Sequence, residues 1–212
     1  MRHTFLFLWL FFFCSASSAT AQEYDLVQAL TEQSRTINTL QTTFAQEKKL
    51  AFLQNPLRSE GYFFFSRHFK GTQSPALLWE YTSPAPSGIW YAQGKSWLWM
   101  HTRAKLRAAD RQENIMLSAM VEQILFWLTI QPQSIQAHFT IEQEQQPLCM
   151  KLRPKKQQFF SALQVCLRAD LHSLASLHLE EKQGDSTRIV FAQPEINKQE
   201  LTAFPDGSPF PQ

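Results

Sequence analysis

The sequence predicts an α+β protein made mainly of antiparallel strands, and three observations carry that prediction. Between Phe44 and His101, runs rich in aromatic and β-branched residues are broken by turn signals at Asn55-Pro56, Gly71, Ser83-Pro84-Ala85-Pro86-Ser87-Gly88 and Gln93-Gly94-Lys95. Such text reads as successive local hairpins. Two blocks carry a helical period instead, one ahead of these strands and one between Asp110 and Leu128. From about His138 to Phe191 the strand pattern returns.

The chain opens with Met1-Arg2-His3, is apolar from Phe5 to Phe13, and turns small from Ser15 to Ala21, where Ala19-Thr20-Ala21 has the A-x-A form. This is an export signal, with cleavage expected after Ala21. An uncleaved anchor is the alternative, but the run falls short of the roughly 20 apolar residues that cross a bilayer. Cys14 follows Phe12-Phe13, whereas a lipidation site wants small residues there. Residues 22–212 are then expected to form one soluble domain, with no linker or internal repeat.

Asp25, with Gln28 three residues on, has the form of a helix cap, and Leu26, Leu30, Ile37, Leu40 and Phe44 recur at helical spacing. The first helix is therefore expected from about Leu26 to Thr43. Next come a strand carrying Phe44, Gln46 and Lys48, the turn at Asn55-Pro56, and an aromatic strand from Tyr62 to Phe65 that ends in Arg67. Leu77 to Tyr81 and the Trp90 to Trp97 hairpin follow. In the second helical block, Ile115, Met116, Leu117, Met120, Val121, Ile124, Leu125, Trp127 and Leu128 cover about half of a helical wheel. A helix this apolar needs a large apolar surface to lie on. A break at Gln131-Pro132 and a short helical turn precede the last strands.

Cys149 and Cys166 are the two cysteines of the mature chain. If Leu148 to Lys155 pairs with Phe160 to Arg168 about a turn at Gln157-Gln158, Met150 faces Val165, Leu152 faces Leu163 and Leu148 faces Leu167 on one apolar side. The same register puts Cys149 opposite Cys166 on the other, polar side, within disulfide reach. Closing a loop of that size stabilises a fold by about 3 kcal/mol.

The formal charge is +2, and becomes +1 without Arg2, so nothing points to nucleic acid. Lys151, Arg153, Lys155 and Lys156 alternate along a strand, which reads first as a solvated sheet face and second as a docking or membrane-facing one. There is no G-x-S-x-G, H-E-x-x-H, C-x-x-C or glycine-rich phosphate loop, and His68, His101, His138, His172 and His178 lack metal-like spacing. No catalytic residue, metal or cofactor is indicated. What remains is apolar surface: Trp79, Trp90, Trp97, Trp99, Trp127 and the methionines of the second helix. A well-filled core accounts for these equally well. Alternation also puts Phe63, Phe65 and Arg67 on one face, where a guanidinium beside apolar side chains needs acceptors. Backbone carbonyls of a covering helix would serve, and so would a surface ion pair with Glu80.

In pattern and order, the block Phe44, Gln46, Lys48, Pro56-Leu57, Ser59, Gly61 and Arg67, followed by Leu77-Leu78-Trp79-Glu80-Tyr81, Pro84 and Trp90 to Trp97, resembles the periplasmic outer-membrane lipoprotein carriers, the LolA family. Phe191, Asn197, Leu201 and Pro205-Asp206-Gly207 resemble the family's closing segment. The resemblance implies an unclosed β half-barrel whose mouth is covered by a helical lid. It implies a periplasmic monomer that takes an acylated lipoprotein or other lipid from an inner-membrane release complex to an outer-membrane acceptor. Phe63, Phe65, Leu77, Trp79 and Tyr81 would then form a cavity wall, with Met116, Met120 and Ile124 on the lid. Arg67 would be the latch that holds the lid closed when the cavity is empty. A relative carrying a glycolipid or lipid-linked pigment, or a lipid- or lipoprotein-sensing envelope regulator, are the alternatives. Two stretches depart from the family pattern: the longer link His68 to Ala76, and the proline-rich end Phe204 to Gln212.

Overall fold

A computed structural model describes residues 25–114, 132–145, 147–156, 160–170, 173–198, 201–204 and 210. Asp25 caps the first helix, its Oδ1 accepting from the Val27 and Gln28 N–H groups at 3.0 and 3.2 Å. That helix, α1 (Leu26–Thr36), stops well short of Thr43. Leu40 and Phe44, expected on it, lie on β1 (Thr39–Lys49). The physical reason is that a spacing of four residues suits one helical face and one strand face alike. β1 gains pairing along both of its edges, with β2 (Leu57–Ser66) on one side and β11 (Ser186–Phe191) on the other. A helix there would forgo both ladders.

The remaining strands are β3 (Ala76–Ser83), β4 (Ser87–Ala92), β5 (Lys95–Met100), β6 (Arg107–Ala108), β7 (Phe139–Gln145), β8 (Leu148–Pro154), β9 (Phe160–Leu167), β10 (Leu174–Glu181) and β12 (Glu195–Ile196). A second helix, α2 (Pro132–His138), leads into β7. All belong to one antiparallel sheet of order β6-β5-β4-β3-β2-β1-β11-β10-β9-β8-β7, with β12 added beside β1. The sheet is open, and β6 and β7 are its edges. This is the mainly antiparallel, unclosed half-barrel that the sequence predicts.

Cross-strand register sorts the side chains into two faces. Leu40, Thr42 and Phe44 of β1 oppose Phe65, Phe63 and Gly61 of β2, which in turn oppose Leu77, Trp79 and Tyr81 of β3. On the same face, Phe44 opposes Phe191, and Ile189 leads through Leu177 and Val165 to Met150. We call this the inner face, because α1 and α2 pack on it. Leu26, Val27 and Ile135 join the cluster of Met150, Leu152, Leu163 and Val165, and Ile37 joins Phe63, Phe65 and Leu77.

The outer face has its own core. Phe64, Leu78, Trp90 and Trp99 cluster there with Phe69, Phe204 and Phe210. Trp90 stacks on Phe210 with ring centroids 4.1 Å apart, and Phe69 meets both rings edge-on at 5.2 and 5.6 Å. The two stretches that depart from the family pattern therefore meet through Phe69 of the long link and Phe210 of the chain end. Trp90 and Trp99 are thus buried in this second core rather than set along a cavity.

Two glycines make room for aromatic rings placed directly across from them. A Cβ at Gly61 would lie 2.4 Å from Phe44 Cζ and 2.1 Å from the Glu80 carbonyl oxygen. One at Gly88 would lie 2.2 Å from Trp99 Cζ2. Cys149 and Cys166 face each other across β8 and β9 and form a disulfide. Their surroundings are less polar than expected, since Cys149 is only 1% exposed.

Candidate functional site: the inner face and the end of helix α1

Arg67 stands at the end of β2, on the inner-face side of the strand. Its Nε donates to the Ile37 carbonyl at 2.9 Å and its second terminal nitrogen donates to the Ser34 carbonyl at 2.7 Å. Its backbone N–H donates to the Asn38 carbonyl at 2.7 Å, and its guanidinium lies 5.9 Å from the Phe65 ring centre. The last carbonyls of a helix lack partners within the helix and carry its negative dipole end. A half-buried guanidinium meets both needs with charge-assisted hydrogen bonds.

Asn197 holds the same junction from the other side. Its Nδ2 donates to the Thr36 carbonyl at 2.7 Å, while its Oδ1 accepts from the Asn38 and Thr39 N–H groups at 2.6 and 3.2 Å. It does so with a positive φ of 54°, which asparagine tolerates better than most residues. The other end of α1 rests on the far half of the sheet, where the Leu26 N–H donates to Gln143 Oε1 on β7 at 3.0 Å. Helix α1 is therefore a strut across the inner face, from β7 and β8 to the end of β2.

The five expected wall residues share this face. Phe63, Phe65 and Leu77 are buried, whereas Trp79 and Tyr81 are half-exposed. The Trp79 ring centre lies 4.6 Å from that of Phe44 and 5.7 Å from that of Phe63, and the Tyr81 hydroxyl donates to Gln46 Oε1 at 3.0 Å. Half-buried Ile189, Phe191, Leu177 and Leu179 continue the apolar surface across the sheet. A face of this kind binds apolar matter by area and shape, without directed chemistry.

Glu80, the ion-pair partner considered for Arg67, lies on the outer face, opposite Tyr62. There the Tyr62 hydroxyl has its pKa pushed up to about 12, first by burial and then by the Glu195 and Glu80 carboxylates.

Met116, Met120 and Ile124 of the expected lid lie outside the described residues, as do the signal segment and the turn at Gln157-Gln158. The start of the lid block is described, and residues 111–114 are helical. Asp110 Oδ1 accepts from the Glu113 N–H at 2.8 Å, and Glu113 Oε2 accepts from the Asp110 N–H at 3.0 Å. This reciprocal cap is legible as Asp-x-x-Glu but was not among the expected signals. Arg107 of β6 then grips both oxygens of Glu113 at 2.6 and 2.7 Å, which holds that carboxyl down at about 2.

An open antiparallel sheet with an apolar inner face and a helix strapped over it is the geometry expected of the family named above. A family model described as outer membrane lipoprotein carrier protein LolA matches residues 35–204. The chain belongs to the LolA family. The family's members are periplasmic carriers rather than enzymes. No curated protein sequence matches the chain. A chain of the Pseudomonas aeruginosa MucA/MucB complex is similar in structure at 14% identity and a TM-score of 0.50. That match covers 84% of this chain and 58% of that one, so the present chain spans under two thirds of its neighbour's length. An uncharacterised conserved protein from Thermus thermophilus matches at 10% identity and a TM-score of 0.49, covering 86% of this chain and 94% of that one. A LolA superfamily protein from Nitrosomonas europaea matches at 9% identity and a TM-score of 0.35, covering 82% and 94%. Among the described residues of this LolA-family chain, no helix is long and apolar enough to cross a membrane.

Proposed function

We propose that this protein carries the acyl chains of a lipoprotein or lipid on its inner face through the periplasm, from an inner-membrane release complex to an outer-membrane acceptor. The observation that carries the reading is helix α1, laid over an apolar face and tied to β2 by Arg67. Acyl chains entering the inner face would replace helix contacts by lipid contacts. The carrier can then release its cargo, because part of the binding energy goes into moving the helix. Trp79 and Tyr81, half-exposed beside buried Phe63 and Phe65, are the wall that cargo meets first. Met116, Met120 and Ile124 belong to the lid in this reading. The disulfide suits an oxidising compartment and supports export by residues 1–21.

The test is binding of a fluorescent fatty acid. Wild type should bind it, and Trp79→Glu should abolish binding without unfolding the protein, because the side chain is half-buried at the edge of its cluster and a carboxylate there repels an acyl chain. Undiminished binding by a folded Trp79→Glu protein would refute the inner-face site. Mass spectrometry of the protein taken from its own periplasm would then name the cargo.

A further inference from the structure

The loop joining β1 to β2, together with the first residue of β2, holds apolar side chains out in water. Phe52 is 79% exposed, Leu57 49% and Leu53 41%, and Met100 at the end of β5 is 67% exposed. In this antiparallel sheet the β1–β2 loop and the end of β5 lie at one end of the strands. Arg67 and the close of α1 lie at the other.

The loop is tied down rather than frayed. The Leu53 N–H donates to the Leu50 carbonyl at 2.9 Å, and the Ala51 N–H donates to Asp185 Oδ1 in the β10–β11 turn at 2.8 Å. A fixed backbone therefore presents Phe52 outward. Around it, Glu47 is engaged by Arg58 at 3.3 Å and Lys49 at 4.0 Å, and Glu181 by Lys48 at 3.9 Å. With Lys182 beside them, four bases face the three acids Glu47, Glu181 and Asp185, a local balance of +1. The side chains of Lys49 and Arg58 are themselves 67% and 78% exposed.

A cluster of exposed large apolar side chains on one tip marks a contact site. A protein partner would need about 800 Å² on each side, more than a loop tip supplies. A bilayer interface asks for less: an aromatic ring and leucines that enter the headgroup layer, with basic side chains whose stems reach back to the phosphates. We propose that the β1–β2 loop is where this protein touches a phospholipid bilayer, with Phe52, Leu53 and Leu57 entering the interface and Lys49 and Arg58 at headgroup level. The contact lies away from the inner face and does not depend on the cargo reading.

Flotation with vesicles of phosphatidylethanolamine and phosphatidylglycerol tests this. The exported protein should float with the vesicles. The double variant Phe52→Glu, Leu53→Glu should lose about tenfold or more of its partitioning, since charge at an inserting tip opposes burial. Its thermal unfolding and fatty-acid binding should match wild type. Phe52→Trp keeps an aromatic tip and should retain flotation. Trp79→Glu, which tests the inner face, should float like wild type. Wild type staying out of the vesicle fraction would overturn the proposal, as would a double variant that floats normally or a Phe52→Trp protein that does not. Flotation lost only in Trp79→Glu would also overturn it, since lipid capture by the inner face would then explain the association.

Discussion

Arg67→Leu removes the two side-chain hydrogen bonds to the Ser34 and Ile37 carbonyls and leaves the backbone bond to Asn38 in place. Charge-assisted hydrogen bonds contribute about 1.5 to 3 kcal/mol each when well shielded. Arg67 is half-exposed, and Asn197 still holds the Thr36 carbonyl, so about 1.5 kcal/mol for the pair is the appropriate scale. That corresponds to about tenfold in an equilibrium constant. If acyl chains displace the end of α1 as they enter, the variant starts with a weaker helix contact, and its apparent affinity for lipid rises by up to that factor. The assay is dilution of a fluorescent fatty acid from preloaded protein, followed in time, with thermal unfolding measured alongside. Release from Arg67→Leu should be slower by about tenfold. Arg67→Lys should fall between the two, because one ammonium can reach a carbonyl but lacks the planar fork that serves both. Equal off-rates for wild type and Arg67→Leu, with only a lower melting temperature in the variant, would show that Arg67 caps a helix and takes no part in release.

Two further outcomes follow from geometry remote from that latch. Replacing both Cys149 and Cys166 by alanine opens a loop of sequence separation 17 and should cost about 3 kcal/mol, or about 6 to 12 °C in melting temperature for a chain of this size. Peptide mapping without reduction should recover the linked pair from exported protein. Glu113 should titrate near 2 by carboxyl NMR, and Arg107→Ala should move it up toward the ordinary 4.5. Its folded pKa lies below the unfolded one, so the cap contributes stability fully above about pH 4.5 and loses it as pH falls toward 2. A value near 4.5 in wild type would mean that Arg107 does not hold the carboxyl in solution.

Features that depend on parity and on close neighbours are legible along the chain. Strand alternation puts Phe63, Phe65 and Arg67 on one side, and the apolar pairs Met150–Val165 and Leu152–Leu163 set a register that brings Cys149 to Cys166. Asp25 marks the helix start because its carboxylate and the N–H groups it caps are two and three residues apart. Long-range pairing sets where α1 ends, since Leu40 and Phe44 fit a helix and a strand equally until β2 and β11 claim both edges of β1. Tertiary packing likewise decides that the acceptors for Arg67 are Ser34 and Ile37 rather than Glu80, and that Phe69 and Phe210 meet over Trp90 on the outer face. In each of these cases the partners come from distant parts of the chain or from opposite faces of one sheet, and local pattern carries no record of which distant surface a side chain will meet.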